Sequence, residues 1–187
     1  FGHIGQTNQD NPLASNQSKI VSVNIHLLEV NDPPTYTPSG NIIIPEDFGL
    51  YNQIWATNLD TGGENETHQT LELIITSISN QTLFSPSFLP TFNIDTSLKH
   101  AHIRFKTNNN QFGSSEVLFY LKDNGNIDNE GKNTTNPNKL KIQILPENDI
   151  PVITPKIVTL NEDTTISIDL GQIISDVESN SSTLRYQ

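Results

Sequence analysis

The sequence predicts an all-β fold, and three observations support this prediction. Asn, Thr and Ser are abundant and disfavour helix interiors, whereas the β-branched residues Ile and Thr suit pleated sheets. Apolar and polar residues alternate over short segments that are separated by turn-forming Asn, Asp and Gly. A motif that joins two such segments also occurs twice in the chain, which indicates tandem repeats.

Composition excludes several classes of protein. The 187 residues include no Cys, so disulfides, thiolate metal sites and iron–sulfur clusters are excluded. The formal net charge of −11 argues against a nucleic-acid partner, because phosphate binding needs a basic surface. No apolar run approaches the roughly 20 residues of a membrane-spanning helix. The chain also lacks Met and begins and ends within a pattern, so we expect it to be part of a longer polypeptide.

The repeated motif consists of a strand, the residues Asn-Asp-x-Pro and a second strand. Asn31 and Asp32 recur as Asn148 and Asp149, 117 residues later. The alternating apolar residues before each motif are Val21, Val23, Ile25 and Leu27 in the first copy and Leu140, Ile142 and Ile144 in the second. The Ile-rich stretches that follow end in Glu46-Asp47 and Glu162-Asp163.

This repeat divides the chain into three parts. Residues 1–32 are predicted to be the C-terminal end of a preceding β-sandwich repeat, residues 33–149 a complete repeat, and residues 150–187 the N-terminal start of a following repeat. The Asn-Asp-x-Pro segments are the linkers, because proline fixes φ and favours an extended residue before it.

The complete repeat is predicted to contain seven strands, identified by alternation of apolar and polar residues. They lie near residues 41–45, 52–57, 70–78, 91–95, 100–107, 115–122 and 139–145. Seven short strands in about 110 residues, with regular turn signals, favour a two-sheet sandwich of the immunoglobulin type. The aromatic residues Trp55, Phe84, Phe105 and Phe119 are expected in its core.

The ordered set of short motifs is more specific than any one of them. These motifs are Val30-Asn31-Asp32-Pro33-Pro34, Glu46-Asp47, Gln53–Asn58, Gln69–Leu73, Leu83-Phe84 and Asp123-Asn124-Gly125. The set resembles the cadherin-like and immunoglobulin-like tandem repeats, related to VCBS repeats, of giant extracellular surface, adhesin and fibre proteins. The resemblance implies non-enzymatic β-sandwiches joined head to tail. The second linker departs from the usual Val-Asn-Asp-Ala-Pro, because it reads Glu147-Asn148-Asp149-Ile150-Pro151.

Calcium at the junctions between repeats is the first candidate for a bound ion. Ca²⁺ takes about six to eight oxygen ligands, and the resemblance to cadherins implies that a junctional ion would stiffen the connection. We expect the turn at Asp123 to approach a junction from the preceding repeat. The candidate ligands are Glu29, Asn31, Asp32, Glu46, Asp47, Asp123, Glu147, Asn148, Asp149, Glu162 and Asp163. Alternatively, these residues cap turns and keep the surface soluble; the full cadherin ligand set is absent from the sequence.

Two other metal motifs are weaker. Asn126–Gly131 matches the first half of an EF-hand loop, but Pro137 stands where the bidentate Glu is required, so an ordinary polar loop is favoured. His100 and His102 share one face of a strand, but no third ligand is evident and Arg104 on that face would repel a cation.

Five Asn-x-Ser/Thr sequons make N-linked glycans a further candidate modification. They begin at Asn16, Asn65, Asn80, Asn133 and Asn180. Chance composition predicts about as many, but their positions follow the repeat. Asn16 and Asn133 are 117 residues apart, and Asn65 and Asn180 are 115 residues apart. We expect occupancy if the source is eukaryotic.

No catalytic motif is present in the sequence, and the pair Glu46-Asp47 recurs with the repeat, which favours an architectural role over an active site. We therefore expect a non-enzymatic structural or adhesive repeat of an extracellular surface or filament-forming protein, acting as rod, spacer or fibre body. Its expected partners are neighbouring repeats of the same or identical chains, through fibre formation or strand exchange. The alternative is a calcium-dependent module that binds a ligand or glycan.

Overall fold

The computed structural model describes residues 22–179, and its regular secondary structure is almost entirely β-strand. The strands are β1 (Thr35–Pro38), β2 (Ile42–Pro45), β3 (Leu50–Asp60), β4 (Leu71–Ile78), β5 (Thr91–Asp95), β6 (His100–Lys106), β7 (Gly113–Asp123), β8 (Asn138–Leu145), β9 (Val152–Ile153) and β10 (Ile174–Ser175). The helical elements are single 3₁₀ turns at Glu64–Glu66, Gln81–Leu83, Pro86–Phe88, Asp128–Glu130 and Leu170–Gln172. The all-β prediction is confirmed. Within residues 22–179, no helix has the length and apolar character needed to cross a membrane.

Strands β1 to β8 form two four-stranded sheets. The first has the order β1-β3-β6-β5, with all neighbours antiparallel. The second has the order β2-β8-β7-β4, in which β2 runs parallel to β8 and the other pairs are antiparallel. The chain passes from the first sheet to the second between β1 and β2, at Gly40, whose φ of 97° favours glycine.

Aromatic side chains join the two sheets through one core. Trp55 on β3 is 4% exposed, and its ring lies 5.2 Å from that of Phe119 on β7 and 5.3 Å from that of Phe92 on β5. The Trp55 Nε1 group donates a hydrogen bond to the Gly40 carbonyl over 2.7 Å, so its polar atom is satisfied. Phe84 and Phe105 are also fully buried. The prediction of these aromatic residues as core is confirmed.

All seven predicted strands are present, with boundaries shifted by at most three residues. The sequence analysis missed β1, because the segment Thr35–Pro38 has one large ring and no alternation of apolar residues. The Tyr36 ring packs beside both Trp55 and Phe119, with centroid distances of 6.1 and 6.3 Å. Burial of this ring, rather than a sequence pattern, holds β1 on the sheet.

Two predicted strands are not formed. The described part of the first, residues 22–27, is irregular, and the Ile-rich stretch 157–160 is irregular as well. Leu27 is 92% exposed and Ile157 is 95% exposed. In the predicted repeat, residues 22–27 correspond to β8, which lies between β2 and β7. The part of the chain that the structure describes supplies no such neighbouring strands to residues 22–27. A lone strand gains too little burial to be stable. The three-part division of the chain stays a prediction.

Candidate functional site

The strands place the predicted ligands at the two opposite ends of residues 33–149. Strands β3 and β7 end together at one end, where residues 29–32, 60–69 and 123–133 form what we call the entry junction. Strands β2 and β8 end together at the other, where residues 46–47, 145–149 and 176–178 form the exit junction.

Asn31 is the central residue of the entry junction and is only 7% exposed. Its Nδ2 group donates to Asp123 Oδ1 over 3.1 Å and to the Lys132 carbonyl over 2.7 Å. Its Oδ1 atom accepts a hydrogen bond from Gln69 Nε2 over 2.7 Å. The Asn31 carbonyl also accepts from the Lys132 backbone N–H over 2.8 Å. One linker side chain therefore contacts two separate loops of the repeat.

Two buried carboxylates surround Asn31. Glu66, 4% exposed, accepts from the Asp32 N–H over 3.0 Å and from the Gly63 N–H over 3.1 Å. Asp123, 2% exposed, accepts at Oδ1 from the Gly125 N–H over 2.8 Å, in addition to Asn31. Its Oδ2 atom is buried and has no hydrogen-bond partner in residues 22–179. Backbone N–H groups thus offset most of the negative charge here.

The position of Asp123 corrects one prediction. This residue contacts Asn31, in the linker that precedes residues 33–149, and not the linker that follows them, because β7 runs toward the entry junction. Glu29 is exposed and lines a cavity of about 300 Å³ together with Asn31, Glu66 and other polar residues. Sequence analysis missed Glu66 and Gln69, which occur in a polar loop without a distinctive pattern.

The exit junction contains carboxylates with fewer hydrogen-bond donors. Glu46 is 1% exposed, and its Oε1 atom accepts from the Glu147 N–H over 2.8 Å. Asp47 Oδ1 accepts from the Asn110 N–H over 3.0 Å. The Asp149 N–H donates to Glu178 Oε2 over 3.0 Å. Neither Asp176 nor Glu178 was among the predicted ligands, because both lie in a short segment between apolar residues.

Negative charge accumulates around Asp149. Partial burial raises the pKa of this carboxyl, and the neighbouring Glu178, Asp47, Asp176 and Glu147 raise it further. Three buried carboxylate oxygens, Glu46 Oε2, Asp149 Oδ2 and Glu178 Oε1, have no hydrogen-bond partner in the described part of the chain. A buried carboxylate oxygen without a hydrogen-bond donor is energetically unfavourable, so a donor at each of these oxygens would stabilise the junction.

The remaining predicted ligands do not join either cluster. Asn148 is exposed and donates only to the Asp149 carbonyl, over 3.0 Å. Glu162 and Asp163 are exposed. No three acidic or histidine side chains between residues 22 and 179 are close enough to form a ready-made metal site. His100 and His102 lie on β6, as predicted, and Asn126–Gly131 folds as a loop with a 3₁₀ turn.

Three of the five sequons lie within the described residues. Asn65 is exposed beside the entry junction, and Asn133 lies near it, because its Nδ2 group is 3.5 Å from the Gly125 carbonyl. Asn80 is half-buried and accepts from Thr82 through Oδ1, which leaves its Nδ2 group available. Asn16 and Asn180 lie outside the described residues.

The same backbone contact recurs at the two junctions. The Asp32 N–H donates to Glu66, and the Asp149 N–H, 117 residues later, donates to Glu178, both over 3.0 Å. The pairing of Ile153 with Ile174 likewise repeats the antiparallel pairing of β1 with β3.

Comparison with known proteins does not identify a family for this chain. No protein-family model and no curated protein matches the chain, so its function has to be inferred from the junctions themselves.

Proposed function

We propose that the chain is a segment of tandem immunoglobulin-like or cadherin-like β-sandwiches that serves as the rod, spacer or fibre body of an extracellular protein, without enzymatic activity. The strand order supports this proposal. The order β1-β3-β6-β5 corresponds to the A-B-E-D sheet of immunoglobulin-type sandwiches, and β4, β7 and β8 correspond to strands C, F and G.

The observation that carries the proposal is the recurrent contact between linker and carboxylate. The hydrogen bonds of Asp32 with Glu66 and of Asp149 with Glu178 join two linkers to the segments that follow them in the same way. The donors lie 117 residues apart and the acceptors 112 residues apart, and each contact would fix the direction of a linker relative to the segment that follows it. Such fixed connections are what a rod needs and what a chain of independent domains lacks.

Electron microscopy of a polypeptide with several successive repeats tests this proposal. We expect elongated particles with an axial spacing of roughly 40 Å per repeat, the length of an 11-residue strand plus a linker. A matched variant with Pro33→Gly and Pro34→Gly should show more bent particles, because glycine relaxes the linker. Compact particles without an axial repeat would contradict the proposal, and saturable retention on a glycan array would favour the adhesive alternative.

A second candidate function is calcium-dependent stiffening of the exit junction. The carboxylate oxygens of Glu46, Asp149 and Glu178 that have no hydrogen-bond partner among the described residues support it, because hard cations bind such oxygens. Glu147 and Asp176 could complete the ligand set. A bound Ca²⁺ would offset the mutual repulsion of these carboxylates. Since no three of the described side chains converge, binding would require small side-chain movements.

Calcium titration tests this second function. We expect Ca²⁺ to raise Tm and to slow hydrogen exchange of the Glu147 and Asp149 amides, with a smaller effect of Mg²⁺ at equal concentration. The variant Glu178→Gln should weaken the response, and Glu162→Gln, a change at an exposed carboxylate, should leave it unchanged. Equal exchange rates in Ca²⁺ and in chelator would contradict calcium binding.

N-linked glycosylation is the remaining proposal. Exposed Asn65 and the available Nδ2 group of Asn80 are compatible with an attached sugar. Mass spectrometry of peptides from the native protein, before and after glycosidase treatment, would locate the modified sites. Unmodified peptides at all five sequons would contradict this proposal.

A further inference from the structure

The side-chain amide of Asn31 lies within a group of oxygen atoms. Its Nδ2 atom is 2.7 Å from the Lys132 carbonyl oxygen, 3.1 Å from Asp123 Oδ1 and 3.4 Å from the Asp32 carbonyl oxygen. The two N–H groups of the amide serve the two shorter contacts. A carboxylate and two carbonyl oxygens around one point are also ligands that a hard cation would select.

We propose that the Asn31 amide takes the place of a cation at the entry junction and holds the linker to its repeat without metal. This inference rests on the proposed function, because it assigns the means by which one linker is fixed. It extends that function by separating the two junctions: the entry junction would be independent of calcium even if the exit junction is not.

The other contacts of Asn31 support a positioning role. Gln69 Nε2 donates to Asn31 Oδ1, and the Lys132 N–H donates to the Asn31 carbonyl. Gln69 lies before β4 and Lys132 lies between β7 and β8, so the linker is held from two sides. A side chain that is 93% buried and bonded at both amide atoms has little freedom to rotate.

The loop after β7 is shaped around this amide. A Cβ atom at Gly125 would overlap the Asn31 side-chain amide, and a Cβ atom at Gly131 would lie 3.2 Å from Asn31 Cβ. Glycine at position 125 therefore leaves the space that Asn31 fills. The Gly125 N–H also donates to Asp123 Oδ1, so the same residue supplies a second donor to the carboxylate.

Charge explains why an amide rather than a carboxylate is needed at position 31. A carboxylate there would lie about 3 Å from Asp123 and from the Lys132 carbonyl oxygen, with no donor between them. Such an arrangement would need either a proton shared between the two carboxylates or a bound cation, and at neutral pH the cation is favoured when Ca²⁺ is supplied. Asn31→Asp is therefore the informative change, because it should convert a metal-independent junction into a metal-dependent one.

Hydrogen exchange of the 187-residue chain, in Ca²⁺ and in chelator, tests the proposal. The local probes are the amides of Lys132 and Asp32, and the amide of Glu147 reports on the exit junction. In the unmodified chain, we expect equal protection of Lys132 in both conditions. Asn31→Ala should increase exchange at Lys132 by about tenfold or more in both, because the Lys132 carbonyl loses its side-chain donor and Asp123 Oδ1 keeps only the Gly125 N–H. Asn31→Asp should do so in chelator and recover in Ca²⁺. Asn148→Ala, the matched change at an exposed Asn, should leave Lys132 unaffected.

Three results would overturn the proposal. They are loss of Lys132 protection in chelator for the unmodified chain, unchanged protection in Asn31→Ala, and an Asn31→Asp variant that is equally protected without metal. If Trp55 fluorescence shows that Asn31→Ala unfolds globally, the variant Gln69→Ala takes its place, because it removes only one partner of Asn31. Gln69→Ala should raise hydrogen exchange of the Asp32 amide by a few-fold. Unchanged exchange at Asp32 in this variant would overturn the proposal. These readouts are independent of particle shape, so they separate failure of this inference from failure of the rod.

Discussion

The two junctions of this molecule handle buried negative charge in different ways. At the entry junction, backbone N–H groups and the Asn31 amide donate to Glu66 and Asp123. At the exit junction, the negative charges of four other acidic residues raise the pKa of the Asp149 carboxyl, in addition to its partial burial, and three carboxylate oxygens lack a partner within residues 22–179. Both junctions share the contact of a linker N–H with a Glu side chain.

This difference shows how much the surroundings of a repeated motif decide its chemistry. Each linker carries one Glu and one Asp, but the Glu stands two residues before Asn31, as Glu29, and directly before Asn148, as Glu147. The donors around Asn31 come from the β7–β8 loop, and the described residues after Asp149 include no counterpart of that loop. The Asn31-Asp32 pair thus lies among hydrogen-bond donors, whereas the Asn148-Asp149 pair lies among acidic residues.

The largest expected effect is that of Gly125→Ala. A Cβ atom at this position would overlap the Asn31 amide, and we expect a loss of about 3 kcal/mol in the free energy of unfolding. Gly49→Ala, near the exit junction, is the control: it has a φ of 79° but no neighbouring atom within 4 Å, so it should cost only about 1 kcal/mol of backbone strain. Urea unfolding followed by Trp55 fluorescence would measure both, and equal losses would contradict the described packing.

A smaller difference is expected between Glu66→Gln and Glu178→Gln. Both carboxylate oxygens of Glu66 accept hydrogen bonds, so an amide there would place an N–H against an N–H and cost about 2 kcal/mol. Among the contacts within residues 22–179, one oxygen of Glu178 accepts, and the change also removes a charge near Asp149, so we expect little loss or a slight gain. The same urea titration would measure both variants. A greater loss for Glu178→Gln would reverse the comparison.

Acidification should affect the junctions in opposite directions. The pKa of the Asp149 carboxyl is raised in the folded state, which therefore binds more protons than the unfolded state. This carboxyl favours folding below the ordinary carboxyl pKa of about 4. Its contribution to stability is lost as pH rises through the raised pKa. The pKa of Asp60, at the entry junction, is lowered, first by the Gly62 N–H and then by Lys99, so its contribution is lost as pH falls below about 4. Hydrogen exchange between pH 3 and 6, corrected for intrinsic rates, should show relatively better protection at Asp149 and poorer protection at Gly62 as pH falls. Parallel changes at both sites would contradict this assignment.

The smallest effect is expected for the ion pair at the entry junction. Lys99 Nζ lies 3.1 Å from Asp60 Oδ2, but both side chains are well exposed. Lys99→Ala should therefore change the free energy of unfolding by less than about 1 kcal/mol, and salt should reduce the difference further. The Lys139–Glu116 pair, equally long and on the face of the other sheet, is the matched control. A loss above about 2 kcal/mol at Lys99 would show that the pair fixes the junction.

Most strands could be predicted from the sequence because their apolar residues alternate with the period of a sheet. The strands β6, β7 and β8 bury their alternating residues as expected, whereas β4 buries only Leu73 fully. The strand β1 could not be predicted in this way, because it depends on the single Tyr36 ring. Residues 22–27 alternate but are irregular, which shows that alternation without neighbouring strands does not form a strand. Alternation predicts the capacity to pair, while pairing itself depends on distant residues.

The candidate sites were predictable only in part. The repeat identified Asn31, Asp32, Glu46 and Asp149 as junction residues, because these positions recur with the linkers. It could not group them, since the end of the sandwich at which a turn lies depends on strand direction. Asp123 was therefore expected on the wrong side of a junction, and Glu66, Gln69 and Glu178 were missed because their partners are far apart in sequence.

The parallel pairing of β2 with β8 has a mechanical consequence. Its register aligns Ile42 with Ile142 and Ile44 with Ile144, so a strand near the start of residues 33–149 is paired with the strand at their end. Tension applied along the linkers would pull β2 toward the entry junction and β8 toward the exit junction. The hydrogen bonds between these strands would then be loaded in shear and together, rather than opened one after another. A repeat with this geometry would resist extension before its core is exposed to water.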